Sequence, residues 1–356
     1  MQRKLTSVIQ RFSFSNLSSL QLFQLVRYGT FVLIGIGFAK LNLPLSDIGS
    51  FETFILISGM LSFFWVSGII TTMLSIFPKK NDEEKKELLS NTFFSLVFLS
   101  IAAGLLLFIF SSNILLFLHK SENENIISLV IVYLLLNCPS FITEYILFLH
   151  GRKKEIVYYG LFTFLLTIVL TLLPVVMHLG VAFSLYGLIV VAGIKFLFAL
   201  FMLREFAGFS INLQVQLTNF QFSLPLLVSI FISGSAEYID GIIVKAKFDD
   251  VQFAVFRYGA KELPILLILA NTISTALVPS IANHLNDGLA EIKKKSTQLM
   301  HVFFPVTIVL LLLSRYIYQY VFSDSFIFSA LIFNIYLLLI IPKVLFPQTV
   351  LTGMQK

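Results

Sequence analysis

Long apolar stretches alternate with short polar segments along the whole chain. A transmembrane helix needs about 20 predominantly apolar residues, and ten stretches reach that length. The pattern therefore predicts an all-α polytopic membrane protein with about ten transmembrane helices. The predicted spans lie at about residues 20–40, 51–77, 91–118, 126–149, 156–177, 181–203, 220–244, 252–280, 299–321 and 328–349.

The composition strengthens this prediction. Hydrophobic residues make up 57% of the chain and charged residues 12%, whereas soluble domains average about 25% charged residues. The single cysteine, Cys138, falls within span 4, so no internal disulfide is expected. The first apolar stretch is a full span rather than the short core of a cleavable signal peptide. The protein is therefore expected to enter the membrane through its own helices.

The positive charges of the loops predict the orientation of the chain. Fifteen of the 25 Lys and Arg residues fall in loops on one side of the predicted membrane, against four on the other, Lys40, Lys120, Lys245 and Lys247. Because positively charged loops are retained in the cytoplasm, both termini are predicted to be cytoplasmic. The basic residues lie beside spans rather than in one patch, so no nucleic-acid partner is expected.

Two segments outside the spans define the predicted domain organisation. In residues 1–19, apolar residues recur at helical spacing among basic ones, which is typical of a helix on the cytoplasmic membrane surface. The moderately polar segment 205–219 follows span 6 and is interpreted as a cytoplasmic linker. It separates an N-terminal six-helix bundle at 20–204 from a C-terminal four-helix bundle at 220–356.

A weak internal repeat supports this division. Spans 4 and 10 each lead into a glycine followed by basic residues, and each contains a proline, Pro139 or Pro342. Spans 7 to 10 are therefore predicted to correspond to spans 1 to 4, as in transporters built from structural repeats. The second bundle is incomplete on this alignment.

Six basic residues lie inside predicted spans, where a charge is costly unless it faces a polar interior. They are Arg27, Lys195, Arg257, Lys261, Arg315 and Lys343. Arg315 and Lys343 lie near span ends, from which long side chains can reach the lipid headgroups. Lys195 lies deeper in its span, and its role stays open.

The other three cations are predicted to bind the substrate. Arg27 lies in span 1, and Arg257 and Lys261, four residues apart, are expected to share one face of span 8. Such a set suits a phosphorylated headgroup, since guanidinium binds phosphate in a bidentate manner and lysine adds a point charge. The alternative is that Arg257 and Lys261 are neutralised within the protein by nearby carboxylates, Glu237, Asp240 or Glu262.

Carboxylates inside spans are candidates for coupling transport to protons or sodium ions. Glu237 and Asp240 are three residues apart on span 7 and therefore lie on one helix face. An equally open alternative is that Asp240 neutralises Lys245 or Arg257. Glu144 lies near the end of span 4 and is expected to meet water or a helix dipole.

Five segments carry a resemblance to a known group of transporters. They are Phe222-Ser-Leu-Pro-Leu-Leu, Tyr238-Ile-Asp-Gly-Ile-Ile-Val, Phe256-Arg-Tyr-Gly-Ala-Lys-Glu-Leu, Val278-Pro-Ser-Ile-Ala and Leu149-His-Gly-Arg-Lys. With these segments the chain resembles the multidrug/oligosaccharidyl-lipid/polysaccharide (MOP) exporter superfamily, and within it the bacterial polysaccharide-biosynthesis flippases. The similarity extends over the whole chain and is a pattern rather than a catalytic signature.

The resemblance implies a fold and a function. Members of the superfamily have twelve to fourteen spans in two bundles of six around a central cavity, whereas this chain stops where span 11 should follow. Either the last two helices are missing from it or it is a shortened variant. The implied function is a flippase of the bacterial inner membrane. It would translocate a polyprenyl-diphosphate-linked oligosaccharide, such as an O-antigen, capsule or exopolysaccharide repeat unit, by alternating access.

The implied partners are the anionic lipid-linked oligosaccharide, the membrane lipids and a coupling H⁺ or Na⁺, with the protein acting as a monomer. A second hypothesis is a cation-coupled exporter of drugs or metabolites, which would need an acidic rather than a basic cavity. A third is a membrane enzyme of envelope polysaccharide assembly. No metal-binding spacing, Gly-rich phosphate loop or nucleophile motif occurs in the sequence. Neither a cofactor nor an enzymatic activity is therefore predicted.

Overall fold

The computed structural model describes residues 16–118, 124–261 and 285–345, and all the regular structure in these ranges is helical. The predicted all-α class is therefore confirmed. The helices are α1 (Asn16–Lys40), α2 (Leu45–Ile76), α3 (Asp82–Ile109), α4 (Ser111–Phe117), α5 (Glu124–Ser140), α6 (Ile142–Leu149), α7 (Lys153–Val176), α8 (Val181–Phe206), α9 (Leu213–Lys247), α10 (Asp250–Gly259), α11 (Leu285–Ile317), α12 (Ile327–Leu337) and α13 (Ile340–Val344). Short 3₁₀ turns follow α2 and precede α12, and a π-helical turn, Tyr318–Phe322, extends α11.

Nine helical segments in the described part of the chain are long and apolar enough to cross a membrane. They correspond to nine of the ten predicted spans. For the eighth, predicted at 252–280, the structure describes α10 as far as Gly259, and the rest of that span lies outside the described residues. Most of the predicted surface helix at 1–19 also lies outside them.

Side-chain caps fix where two of the long helices begin. At the start of α3, the Asn81 side chain accepts a hydrogen bond from the Glu84 amide at 2.9 Å, and the Glu84 carboxylate accepts one from the Asn81 amide at 3.0 Å. This reciprocal capping box satisfies two of the N–H groups that a helix leaves unpaired at its N-terminus. At the start of α9, the Asn212 side chain accepts from the amides of Gln214 and Val215.

The connection between α8 and α9 is shorter than the linker predicted at 205–219. The helix α8 continues to Phe206 and α9 begins at Leu213. This short connection is held against the N-terminal part of α3, because the Asn212 amide nitrogen donates to the Asn91 side chain at 3.0 Å. The Asn212 side chain also donates to Glu87 at 2.7 Å. Residues that looked like a linker therefore form the first turns of a helix.

The chain forms two compact units. The first comprises residues up to Ile34 together with Leu43–Phe253, and the second comprises Gly35–Asn42 together with the chain from Ala254 onward. The helix α9 thus belongs with the first six spans, whereas the sequence groups it with the second bundle at 220–356.

Close packing of α2 against α9 explains this grouping. Gly68 of α2 lies directly against the Leu227 side chain, and Gly234 of α9 lies against the ring of Phe63. Phe63 also stacks on Tyr238, with ring centroids 4.8 Å apart. Glycines at helix contacts let the two backbones approach closely, which is a common way for membrane helices to associate. The pair α2 and α9 is the most extensive helix contact of the first unit.

Aromatic packing holds the second unit together. The ring of Tyr258 in α10 stacks on Phe326, with centroids 4.3 Å apart, and the Tyr318 hydroxyl donates to the Tyr258 carbonyl at 2.8 Å. The Tyr258 hydroxyl in turn donates to the carbonyl of Gly35 at 3.1 Å. Tyr258 is fully buried. These bonds explain why the end of α1 belongs to the second unit.

Candidate functional site

A small cavity lies inside the first unit, between the helices α1, α5, α7 and α8. Its volume is about 70 Å³, which leaves room for only a few water molecules. Two of the six intramembrane cations line it, although their positions in the sequence are 168 residues apart. The lining residues are Arg27, Thr30, Phe31, Tyr133, Asn137, Phe141, Thr163, Phe164, Thr167, Leu188, Val191, Ala192 and Lys195.

Arg27 reaches this cavity from α1 and forms an ion pair with Glu144 of α6. The Arg27 Nη1 atom lies 3.1 Å from the Glu144 Oε1 atom. The side chain of Glu144 is 2% exposed and that of Arg27 is 32% exposed. The guanidinium also lies 5.2 Å from the ring centroid of Phe141 and 5.7 Å from that of Phe23, within the range of cation–π attraction.

The break between α5 and α6 places Glu144 at this site. The helix α5 ends at Ser140, just after Pro139, and α6 begins at Ile142. The Ser140 hydroxyl satisfies one terminal carbonyl of α5 by donating to Asn137 at 2.6 Å. The sequence-based expectation that Glu144 meets water or a helix dipole is wrong, since the residue is buried and paired with Arg27.

Lys195 of α8 is the second cation of the cavity, which gives a position to a residue whose role the sequence left open. Its ammonium donates to the Asn137 side-chain oxygen at 2.8 Å. It also lies 5.1 Å from the ring centroid of Phe141. Phe141 therefore contacts both cations. Among the described residues, the site brings together two positive side chains and one carboxylate, which can hold charged groups through ion pairs and hydrogen bonds.

A second buried ion pair joins the end of α9 to the start of α10. Lys245 is 1% exposed, and its Nζ atom lies 2.9 Å from the Asp250 Oδ1 atom and 3.1 Å from the Leu118 carbonyl oxygen. The Ser50 hydroxyl donates to the other carboxylate oxygen of Asp250 at 3.3 Å. The sequence placed Lys245 in an exposed outer loop. That placement is wrong, because α9 continues to Lys247 and buries this side chain.

Arg257 and Lys261, the predicted substrate-binding pair, both lie in the second unit. Arg257 is half-buried in α10. Lys261 follows the end of this helix, and its Nζ atom lies 4.7 Å from the ring centroid of Tyr258. The expectation that the two residues share one helix face is wrong, because α10 ends at Gly259. That glycine packs directly against the backbone of Ser329, where a larger residue would not fit.

The predicted carboxylates take different positions. Glu237 is exposed and Asp240 is half-buried, and both lie on α9 in the first unit. The Asp240 carboxylate accepts a hydrogen bond from the amide of Gly241 at 2.6 Å. Glu262 lies outside the described residues, as does the side chain of Lys343, whereas Arg315 is exposed in the last turn of α11.

Within the described ranges, no group of three His, Cys, Asp or Glu side chains is placed to hold a metal ion. The sequence analysis did not predict three features of these sites, namely the partner role of Glu144, the place of Asn137 in the cavity and the ion pair of Lys245 and Asp250. A signal existed for Asn137, since it is a neutral polar residue in the middle of an apolar span. No local signal marks Glu144 as the partner of Arg27, because the two are 117 residues apart.

Comparison with known proteins gives one family and one fold. Residues 43–330 match the family model described as "Polysaccharide biosynthesis protein". No curated protein matches the sequence significantly. Among solved structures, the chain is similar to one titled "Inward-facing conformation of a multidrug resistance MATE family transporter of the MOP superfamily", with a TM-score of 0.63 and 13% sequence identity. The match covers 91% of this chain and 80% of that one.

The two findings agree with the helices described above. The family model covers most of the chain, and the structural likeness extends over nearly all of it, although at this identity it shows the fold alone. The resemblance predicted from the sequence is confirmed. The chain belongs to the polysaccharide biosynthesis protein family, and it is a multi-pass membrane protein with the fold of a MOP superfamily transporter.

Proposed function

We propose that this protein is a flippase that moves a polyprenyl-diphosphate-linked oligosaccharide across the bacterial inner membrane. The oligosaccharide would be a repeat unit of an O-antigen, a capsule or an exopolysaccharide. The observation that carries the proposal is the family match over residues 43–330 in a chain whose described part holds nine membrane-spanning segments. A membrane protein of polysaccharide biosynthesis with a transporter fold is best explained as the step that carries the glycan across the bilayer.

Transport by alternating access needs two bodies that can move against each other, and the chain forms two compact units. The lipid tail would stay in the bilayer while the charged headgroup crosses between the leaflets. Moving charge across the membrane potential involves about 2.3 kcal/mol per elementary charge per 100 mV. We therefore expect coupling to H⁺, to Na⁺ or to the potential itself, with Glu237, Asp240 and Glu262 as the candidate carboxylates.

For the substrate, we assign the diphosphate headgroup to Arg257 and Lys261. Arg257 can form bidentate hydrogen bonds to phosphate, and Lys261 adds a second positive charge four residues later. Arg27, which the sequence also nominates, is paired with Glu144 beside a cavity of about 70 Å³. That volume is too small for a sugar, so direct binding of the headgroup is assigned to the second unit.

The proposed orientation follows the positive charges of the loops, with the N-terminus in the cytoplasm. Substrate would then load from the cytoplasmic leaflet, where the diphosphate-linked repeat unit is made. Cysteine accessibility can test this orientation. In a Cys138→Ala background, the variant Lys154→Cys, at the exposed start of α7, is expected to react with a membrane-impermeant maleimide only after the cells are opened.

Deletion of the gene from the bacterium that encodes it tests the function. We expect surface polysaccharide to be lost and the lipid-linked repeat unit to accumulate where an external glycosidase cannot reach it. A plasmid copy should restore export, and the double variant Arg257→Gln/Lys261→Gln should restore it poorly at equal protein level. Unchanged surface polysaccharide in the deletion strain would overturn the proposal.

The same strains separate the alternative functions. A drug or metabolite exporter would change the accumulation of a fluorescent organic cation such as ethidium without changing surface polysaccharide. A membrane enzyme would turn over a sugar donor or a lipid-linked acceptor as purified protein. Either result would replace the flippase proposal.

A further inference from the structure

The cavity of the first unit carries more positive than negative charge. Arg27 and Lys195 both line it, and none of the described residues that line it is acidic. The one carboxylate at the site, Glu144, pairs with Arg27. Lys195 instead bonds the neutral side chain of Asn137. Among the described residues of the site, two positive side chains therefore share one carboxylate, which leaves one positive charge in excess.

The neutral polar groups of the cavity do not compensate this charge. The hydroxyls of Thr30, Thr163 and Thr167 each donate to a backbone carbonyl of their own helix, at 2.7–2.9 Å. The two cations, in contrast, carry more hydrogen-bond donors than they use in the contacts of the described residues. A guanidinium carries five N–H donors and an ammonium carries three, whereas Arg27 and Lys195 each have one side-chain hydrogen-bond partner among the described residues.

A water-sized space beside surplus donors is a suitable site for a small anion. An excess charge at membrane depth is unfavourable even for partly exposed side chains, as both cations are here, and an anion that contacts both cations would reduce that cost. The cavity volume of about 70 Å³ limits the ligand to the size of a halide or nitrate ion and excludes a diphosphate headgroup bearing sugars. Both cations lie close to the ring of Phe141, at 5.2 Å and 5.1 Å from its centroid, so they line the same part of the cavity wall.

We propose that this cavity binds a small monovalent anion such as chloride, held by Arg27 and Lys195. This anion site is separate from the proposed binding site of the transported substrate, because it lies inside the first unit and is too small for a headgroup. Bound anion would neutralise the interior of that unit. Transport would then depend on the concentration of chloride as well as on the coupling ion.

Chloride-dependent stability of the full, detergent-purified chain tests the proposal. Sodium chloride is exchanged for sodium gluconate at constant ionic strength, and the melting temperature is followed by the fluorescence of the single tryptophan, Trp65. We expect the melting temperature to rise with chloride and to saturate. Nitrate or bromide should replace chloride, since the site selects charge and size.

Two variants should change the apparent chloride Kd in opposite directions. Lys195→Gln removes the excess positive charge and should weaken chloride binding by about tenfold or more. Glu144→Gln removes the negative charge, so the site becomes more positive and should bind chloride more tightly by a similar factor. Both variants disturb buried contacts, so a purely structural role would lower both starting melting temperatures without opposite changes in Kd. The matched control is Lys154→Gln, which removes an exposed charge at the start of α7 and should leave the Kd unchanged.

A wild-type protein without a saturable response to chloride would overturn the proposal. So would an equal response in Lys195→Gln. If Lys195→Gln does not fold, the direction of the change in Glu144→Gln still decides, because tighter binding supports the anion site and unchanged or weaker binding refutes it. These measurements use no glycolipid, so their outcome is independent of the flippase proposal.

Discussion

Two ion pairs in the described part of the first unit, each with one buried partner, differ in the number of further hydrogen bonds that they make. Lys245 and Asp250 lie five residues apart around the turn from α9 to α10, and each has a further hydrogen-bond partner, Leu118 or Ser50. Arg27 and Glu144 lie 117 residues apart, and the arginine faces a cavity. The turn pair joins neighbouring segments of the chain through these further hydrogen bonds, whereas the cavity pair lies beside a space in which we propose that an anion binds.

The cavity pair has a second cation, Lys195, beside it. Lys195 shares the ring of Phe141 with Arg27. Lys245 has its own aromatic contact, with Phe253, at 5.9 Å from the ring centroid. Burial alone therefore does not distinguish the two pairs. Among the described residues, the adjacent cation and the space beside the cavity pair distinguish them.

The largest effect is expected from breaking the turn pair. Lys245→Met leaves the Asp250 carboxylate, which is 23% exposed, without its cation and the Leu118 carbonyl without its donor, and it should lower the free energy of unfolding by about 2–3 kcal/mol. The double variant Lys245→Met/Asp250→Asn removes both charges and should recover much of that loss. Urea unfolding in mild detergent measures both variants. Equal destabilisation in the single and double variants would show that the charges themselves contribute little.

The next effect concerns the backbone beside the same pair. A β-carbon on Gly49 would collide with the backbone of Asp250, so Gly49→Ala should destabilise the protein by about 1–3 kcal/mol. Gly29→Ala is the matched control, because Gly29 also lies in a transmembrane helix but has open space where the methyl group would go. Parallel unfolding curves compare the two variants. A similar loss of stability in both variants would show that the close approach of α2 to Asp250 is not the cause of the destabilisation.

A smaller effect is expected from breaking the cavity pair. Glu144→Gln leaves Arg27 without its carboxylate partner. The Arg27 side chain is nevertheless about one-third exposed, and it retains its contacts with two aromatic rings. The loss of unfolding free energy should be about 1–2 kcal/mol, clearly less than in Lys245→Met. A loss as large as that of Lys245→Met would show that the cavity pair is as rigidly structural as the turn pair.

Much of the fold could be predicted because it depends on local composition. Runs of about 20 apolar residues are sufficient to mark nine of the spans, and charged residues within them mark Arg27 and Lys195. The start of α9 was missed because Gln214, Gln216 and Asn219 make its first turns polar. The polarity of a segment cannot distinguish a loop from the exposed end of a long helix.

The candidate site was only half predictable, for a different reason. A cation inside an apolar span is visible in the sequence, but the identity of its partner depends on which helices pack together. Glu144 pairs with Arg27 only because α5 ends at Ser140 and α6 restarts at Ile142. In the same way, Lys245 appeared to belong to a loop until the length of α9 was known. Partners far apart in sequence are set by tertiary packing, which hydropathy does not contain.

The most direct test of the flippase account is translocation by the purified protein in liposomes. A polyprenyl-diphosphate-linked oligosaccharide is placed in both leaflets, and external glycosidase digests whatever is exposed outside. Protein-free liposomes should stop at about half digestion, because spontaneous crossing by a charged headgroup is very slow. Liposomes containing the wild-type chain should proceed to complete digestion, and those containing Arg257→Gln/Lys261→Gln should do so much more slowly. Digestion that stops at half with folded wild-type protein, under an imposed potential and ion gradient, would contradict the account.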